Sequence, residues 1–561
     1  MLIAMNAYGL TPFQLLPGHG PAAQQKEKDV LFNSAIFIAG FLPVVLTGFF
    51  LFAGTGQQRL AGVWLTISSL VFYGWWNPGY VPLLLGSMVF NYLLGGYLLR
   101  RPSRAALALG IMANLLLLGY YKYTGFLVQT LDQAFGLNWS LNEIVLPLAI
   151  SFFTFQQIAY LSDAHDGAVV EHDFLNYSLF ITFFPHLIAG PITHHREMLD
   201  QFREPANFRP RLDNIAVGAT LFLLGLFKKV IFADTLGEKA SPIFAAAAGG
   251  MAPQLHDAWV GALGYTLQIY FDFSGYTDMA IGLGLLFGIS LPANFDSPYK
   301  ARNVIEFWSR WHMTLTRFLT AYIYNPIVLR VTRARVAAGK PQPRRGKMTA
   351  GAFFTLVAYP TLFTMFISGV WHGAGWQFLA FGLLHGFYLV VAQGWRALKA
   401  RQGWKLDSDI AWHRGAAVLL TFLCVVVAMV FFRAASVPAA LDMLAGMAGL
   451  NGMTSTVDPF AAPLPDSPTL LQHLGQGVRS DFTLIGVLML FVWTLPNTQQ
   501  WMQHYRTALN WRPREHWMAH RFPFMTWRPA PAIGAAVGVL SFFALAHAFS
   551  SAPSEFLYFQ F

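Results

Sequence analysis

An all-α polytopic membrane protein is the fold class this sequence predicts, and three observations carry the prediction. Apolar residues fill 55% of the 561 positions and charged residues only 11%, too few charges for a water-soluble globule. Runs of about 20 apolar residues, the length a helix needs to cross the hydrocarbon core, recur from Ile36 to Phe549 without a long polar interruption. Basic residues collect in a few short loops, as they do on the cytoplasmic side of a chain threaded repeatedly through a bilayer. The expected organisation is a surface-lying segment over 1–30, one membrane domain over 31–549 and an aromatic tail over 550–561. The membrane domain is read as roughly 11 to 13 transmembrane or re-entrant helices.

Along the chain, residues 1–30 lack a basic stretch followed by a compact apolar core, so no cleaved signal peptide is expected. RRPSR (100–104) is the first of four basic clusters. YFDFSGYTDMAIGLG (270–284) sets Asp272 and Asp278 in an apolar run, with Ser274 four residues before Asp278. Carboxylates at membrane depth need internal partners, and structural hydrogen bonding to helix ends or tyrosines is the better reading of these two. EFWSRWHMTLTRFL (306–319) reads as one helix, with Trp308, Trp311, His312, Leu315 and Leu319 on a single stripe and Glu306 with Arg310 as an orienting i,i+4 pair elsewhere.

The second basic cluster is RVTRARVAAGKPQPRRGK (330–347), and the third spans 396–414 with Arg396, Lys399, Arg401, Lys405 and Arg414. The fourth contains Arg506, Arg512, Arg514, Arg521 and Arg528. Placing all four inside requires spans near 353–371, 376–395, 415–435, 482–498 and 531–549, which alternate without conflict and leave both termini outside. The 436–481 loop then also lies outside, with Asp442, Asp458, Asp466 and Asp481 against Arg479. The net charge of +10 is therefore a topology signal, with no nucleic-acid partner implied. The loops are too short to fold as catalytic domains, so any chemistry belongs inside or against the membrane.

Within the spans, GVWHGAGW (369–376) puts an imidazole, His372, at a point where Gly373 and Gly375 release the backbone. A helix break is expected there, exposing the ring to a protein-lined cavity. Cys424, the single cysteine, rules out a disulfide within the chain and a zinc-thiolate site. No HExxH occurs, and the i,i+4 pair His516 and His520 lies in a basic loop without a third ligand, so no metal is expected. A neutral imidazole takes a proton from a hydroxyl as that oxygen attacks an ester or thioester carbonyl, and a second polar group steadies the oxyanion. Two membrane histidines thus fit acyl transfer to oxygen. They fit a proton-coupled transporter of polysaccharide precursors or lipids equally well.

The wording of the motifs separates these. FYGWWNPGY (72–80), LGYYKYTGF (118–126), SFFTFQQIAYLSD (151–163), FFPHLIAGPI (183–192), NFDSPY (294–299) and VFFRA (430–434) occur in order with the segments above and with VWHGAGWQFLAFGLLHG (370–386). This set, covering most of 60–440, resembles the membrane-bound O-acyltransferase (MBOAT) family in its bacterial alginate O-acetyltransferase branch. The resemblance implies a helical fold whose cytoplasmic and outer cavities meet at a thin centre. It makes His372 the family's catalytic histidine and His312 the second active-site polar residue, a position where other branches often carry asparagine. His385 lines the cavity, and His186 stands where glutamine is expected.

The resemblance further implies a cytoplasmic thioester donor, acetyl-CoA or an acyl carrier protein, with no bound cofactor. The 330–347 arginines then attract its phosphates or an acidic carrier, or serve topology alone. The implied role is O-acetylation of an exported polysaccharide, as in alginate or another exopolysaccharide, through a periplasmic acetyltransferase partner, from the bacterial inner membrane. D-alanylation of teichoic acid is the alternative within the class. The tail SEFLYFQF resembles aromatic, tyrosine-bearing ends of export acyltransferase systems, which makes Tyr558 a candidate acyl relay; an interfacial aromatic anchor is the other reading.

Overall fold

The computed structural model describes residues 31–137, 139, 142, 144–169, 172–340, 348–404, 410–453, 481–509, 511–512, 514, 526–551 and 554–557. The 1–30 segment, Lys405, Asp458, Asp466, Arg479, the His516 and His520 pair, Arg521 and Tyr558 lie outside the described residues. Within them the chain is helical, and eight helices are long and apolar enough to cross a membrane. These are α1 (Phe37–Gly54), α3 (Pro78–Arg100), α4 (Arg104–Phe135), α6 (Leu212–Ala248), α10 (Ala350–His372), α11 (Trp376–Gln402), α12 (Ala411–Arg433) and α14 (Pro531–Ser550). Between them run α2 (Gln58–Trp76), α5 (Ile150–His165), α7 (Leu255–Leu286), the short α8 (Val304–Trp308) and α9 (Met313–Leu319), and α13 (Asp481–Thr494). The chain is thus a multi-pass membrane protein, and the spans expected at 353–371, 376–395, 415–435 and 531–549 coincide with α10, α11, α12 and α14.

Helix α7 is the axis of the bundle. Nearly every residue from Val260 to Leu286 is buried, the condition of a helix enclosed by others on all sides. Its closest neighbour is α6, and the two meet through paired glycines. A methyl on Gly218 would stand 2.7 Å from the Gly282 carbonyl oxygen, and one on Gly225 would be driven into the Gly275 carbonyl. Without a hydrophobic force between helices in lipid, such close backbone approach supplies the dispersion energy that holds them. A second glycine crossing, Gly369 against Gly382, draws α10 and α11 together beside His372.

The 306–319 segment departs from expectation. It is not one helix: α8 stops at Trp308, residues 309–312 turn, and α9 begins at Met313. His312 sits at the corner with φ 43° and ψ 51°, in the left-handed region. Residues 294–296 impose the break, because Met313 N donates to Asn294 O (3.0 Å) and Asp296 N donates to Arg310 O (2.9 Å), bonds a continuous helix would have used internally. Trp308, Trp311, His312, Leu315 and Leu319 are all buried nonetheless, around a corner and not along a stripe.

Candidate active site

Helix α10 ends at His372, and the backbone runs extended through Gly373 before α11 starts at Trp376. The expected break is present, though its cause differs from conformational freedom. Gly373 has φ −169°, open to any residue, but the Phe378 ring occupies the place of its missing Cβ. Glycine is there for space. The His372 ring packs 4.9 Å from the Trp371 ring, 5.1 Å from Phe432 and 5.7 Å from Phe381. Only 4% of the residue is exposed, so the imidazole is closed in by aromatic side chains and does not face the open cavity expected of it.

The last carbonyls of a helix lack intrahelical donors, and two consecutive side chains of α4 serve those of α10. Tyr123 Oη donates to Val370 O (2.6 Å), while Lys122 Nζ donates to Trp371 O (2.5 Å), His372 O (3.5 Å) and Ser151 Oγ (3.2 Å). A buried amine thereby meets the unpaired carbonyls at the end of the helix that carries His372. A π-turn over Gly119–Tyr123 inside α4 presents both residues, a local feature that recurs at functional sites.

His312 also packs near Trp371. Its ring lies 6.2 Å from that of Trp371 and 4.8 Å, edge to face, from that of Phe273. Its Nδ1 is 3.0 Å from Asn294 Oδ1, an atom that also accepts from Thr314 N (3.3 Å) and Thr314 Oγ1 (2.9 Å). The backbone donor fixes that atom as the amide oxygen, so His312 Nδ1 must donate and Nε2 carries the lone pair. His385 has the opposite tautomer, since the Trp308 indole, a donor only, gives its proton to His385 Nδ1 (3.3 Å). Phe381 packs on both His385 (4.8 Å) and His372, and His312, Lys122 and His385 are all within electrostatic reach of the His372 ring.

The remaining expected residues serve elsewhere. Asp278 pairs with Lys228 (2.6 Å) and accepts from Gln499 Nε2 (3.4 Å). Glu306 binds Arg310 (2.6 Å), Arg514 (3.1 Å) and Arg302 (3.4 Å), and Arg310 Nη1 reaches Asp296 O (3.1 Å), so this cluster braces the corner that ends at His312. Burial pushes the Glu306 carboxyl up, but the Arg302 N–H and the flanking guanidinium groups more than offset it and hold it below its ordinary value. Asp272 pairs with Lys229 (2.8 Å) and accepts from Leu557 N (3.0 Å), one residue before the Phe273 ring that touches His312. His186 is buried with Nδ1 3.4 Å from Gln156 Nε2. Lys122, Lys229 and Asn294 escaped the sequence reading of the site. A lysine inside an apolar run was the available signal for the first two. Among the described residues, no group of three His, Cys, Asp or Glu side chains is arranged to hold a metal.

A membrane-buried group of histidines, one with its basic nitrogen fixed by an amide, has the proton-accepting chemistry that acyl transfer to oxygen needs, and proton-coupled transport could use it too. Comparison with known proteins separates the two. The model of the MBOAT, membrane-bound O-acyltransferase family, matches residues 167–338. The chain is 40% identical over 456 residues to the peptidoglycan O-acetyltransferase of Helicobacter pylori, covering 76% of this chain and 81% of that one. It is 37% identical over 429 residues to a probable alginate O-acetylase AlgI of Pseudomonas aeruginosa, covering 74% and 75%. With a teichoic acid D-alanyltransferase of Streptococcus thermophilus the identity is 27% over 297 residues, covering 51% and 68%. The chain belongs to the membrane-bound O-acyltransferase family, in its alginate O-acetylase-like branch, and is an O-acyltransferase.

Proposed function

We propose that the protein carries acetyl groups from a cytoplasmic thioester, acetyl-CoA or an acylated carrier protein, across the bacterial inner membrane for O-acetylation of an exported polysaccharide, through a periplasmic partner enzyme. The observation that carries this reading is that the His372 and His312 rings both pack near Trp371, with His312 Nε2 left as the basic nitrogen. Both termini lie on the periplasmic side in this reading.

In the relay form of the proposal, the Tyr558 phenol attacks the thioester carbonyl while His372 takes the phenolic proton. The C–S bond breaks, the thiolate recovers the proton, and an aryl ester forms on the tail. Phenolate, with a pKa of about 10, is a better leaving group than an alkoxide, so a partner's nucleophile collects the acetyl group readily. His312 orients the acceptor by accepting from its hydroxyl at Nε2, and His385 lines the site.

The test is ester-bound acetate released by mild base from cell-surface glycans, peptidoglycan and exopolysaccharide assayed separately because the relatives bear both names. At matched protein levels, His372→Ala is expected to abolish the acetate while glycan export continues. Unchanged acetate would remove His372 from the reaction. Tyr558→Phe with full acetylation would remove the relay and leave direct transfer. D-alanine in place of acetate in the same hydrolysate would support the alternative suggested by the D-alanyltransferase relatives.

A further inference from the structure

Three charged side chains meet between α6 and α7 with no place in the chemistry above. Lys229 Nζ is 2.8 Å from Asp272 and 2.8 Å from Asp234, with Lys229 and Asp272 buried and Asp234 nearly so. Buried ions of this kind are costly to desolvate, and persist where further hydrogen bonds complete their shells. Here the completing bonds all come from residues 554–557. Ser554 Oγ donates to Asp234 Oδ2 (2.6 Å), Glu555 O accepts from Lys229 Nζ (2.8 Å), and Leu557 N donates to Asp272 Oδ2 (3.0 Å). Asn33 Nδ2 adds a fourth bond, to Ser554 O (3.0 Å).

Apolar contacts fix the same segment. Phe556 is fully buried, with its ring 4.9 Å from that of Tyr276 and the Lys229 ammonium 4.9 Å from its centre. Every polar bond in the set except that of Ser554 Oγ goes to a main-chain group of the tail, so the site reads the path of a peptide more than its side chains. Phe556 supplies the one deep side-chain anchor.

We propose that Lys229, Asp272 and Asp234, with Asn33 and Tyr276, form a peptide-binding clamp whose ligand is the chain's own tail, and that the clamp sets the register at which residue 558 leaves it. Its purpose rests on the relay reading; its geometry does not. Asp272 and Phe273 are consecutive on α7, and the Phe273 ring lies on His312. The last clamped amide is bonded to the residue that precedes Phe273 on α7. Lys229 acts as a positioning residue through the tail, and a one-residue slip would exchange Phe556 for Leu557 or Glu555 in its pocket.

The clamp is tested by hydrogen–deuterium exchange of the full-length protein in detergent, read by mass spectrometry over the peptide that contains 551–561. Slow exchange at Leu557, whose N–H is given to Asp272, is expected in the wild type and in Tyr558→Phe alike. Phe556→Ala empties the side-chain pocket and leaves every residue of the bundle in place, and Lys229→Met removes the central cation. Each should speed that exchange by about tenfold or more. Fast exchange in the wild type, or no change in Phe556→Ala, would overturn the clamp, whatever the acetylation result. A protected tail in a Tyr558→Phe protein that still acetylates would uphold the clamp and remove the relay, so the two fail separately. Should Lys229→Met not fold, Phe556→Ala decides alone.

Discussion

Asn294 decides which nitrogen of His312 can act. Its amide oxygen accepts from the imidazole, from Thr314 N and from Thr314 Oγ1 in one buried corner. Asn294→Ala strands two buried N–H groups, and a loss of about 1–3 kcal/mol in stability is expected. Ester acetate should fall by about tenfold or more with it, since the imidazole is no longer held in one tautomer. Normal acetylation by this variant, at matched levels, would detach the tautomer from the chemistry. The left-handed backbone of His312 is one that histidine, asparagine and aspartate enter several-fold more often than other residues with a Cβ. His372 and His312 were legible because their motif words are distinctive. Asn294 was quoted in its motif and its role was invisible, because that role exists only through a contact 18 positions along a folded corner.

At the scale of the element, helix existence was legible and helix continuity was not. Apolar length located α10, α11, α12 and α14 closely, since about 20 apolar residues in lipid have few alternatives to a helix. The same reasoning joined α8 to α9, because periodicity does not register the two backbone bonds by which residues 294–296 open the turn. It also passed over the π-turns at Gly119–Tyr123 and Lys228–Ala233, which carry Lys122 and the lysines paired with Asp272 and Asp278. The α6 and α7 crossing gives a prediction. Gly225→Ala pushes a methyl into the backbone carbonyl of Gly275, which cannot rotate away, so about 1–3 kcal/mol of destabilisation is expected in thermal unfolding. Gly40→Ala, whose methyl meets open space, serves as the control and should leave the midpoint unlowered. Equal behaviour of the two would show that the crossing tolerates separation.

For the whole molecule, the sequence indicated a polytopic bundle from charge scarcity and hydropathy, and placed both termini on one side from the basic loops. Asn33 and Ser554 are hydrogen-bonded, so the two described ends share one end of the bundle. The positive-inside rule predicts the outer side for both. Alkaline phosphatase fused after Phe561 should be active in cells, and the same enzyme inserted in the 396–414 loop inactive; the reverse pattern would invert the molecule. How the tail folds back was not legible, because Lys229, Asp272 and Ser554 are brought together only by the finished bundle. That arrangement has a consequence for biogenesis. Lys229, Asp234 and Asp272 are synthesised and inserted some 280 or more residues before the segment that completes their hydrogen bonds. A chain translated short of residue 554 leaves those ions short of partners in the membrane, and only the arrival of residues 554–557 supplies them, so the α6–α7 contact matures long after both of its helices are inserted.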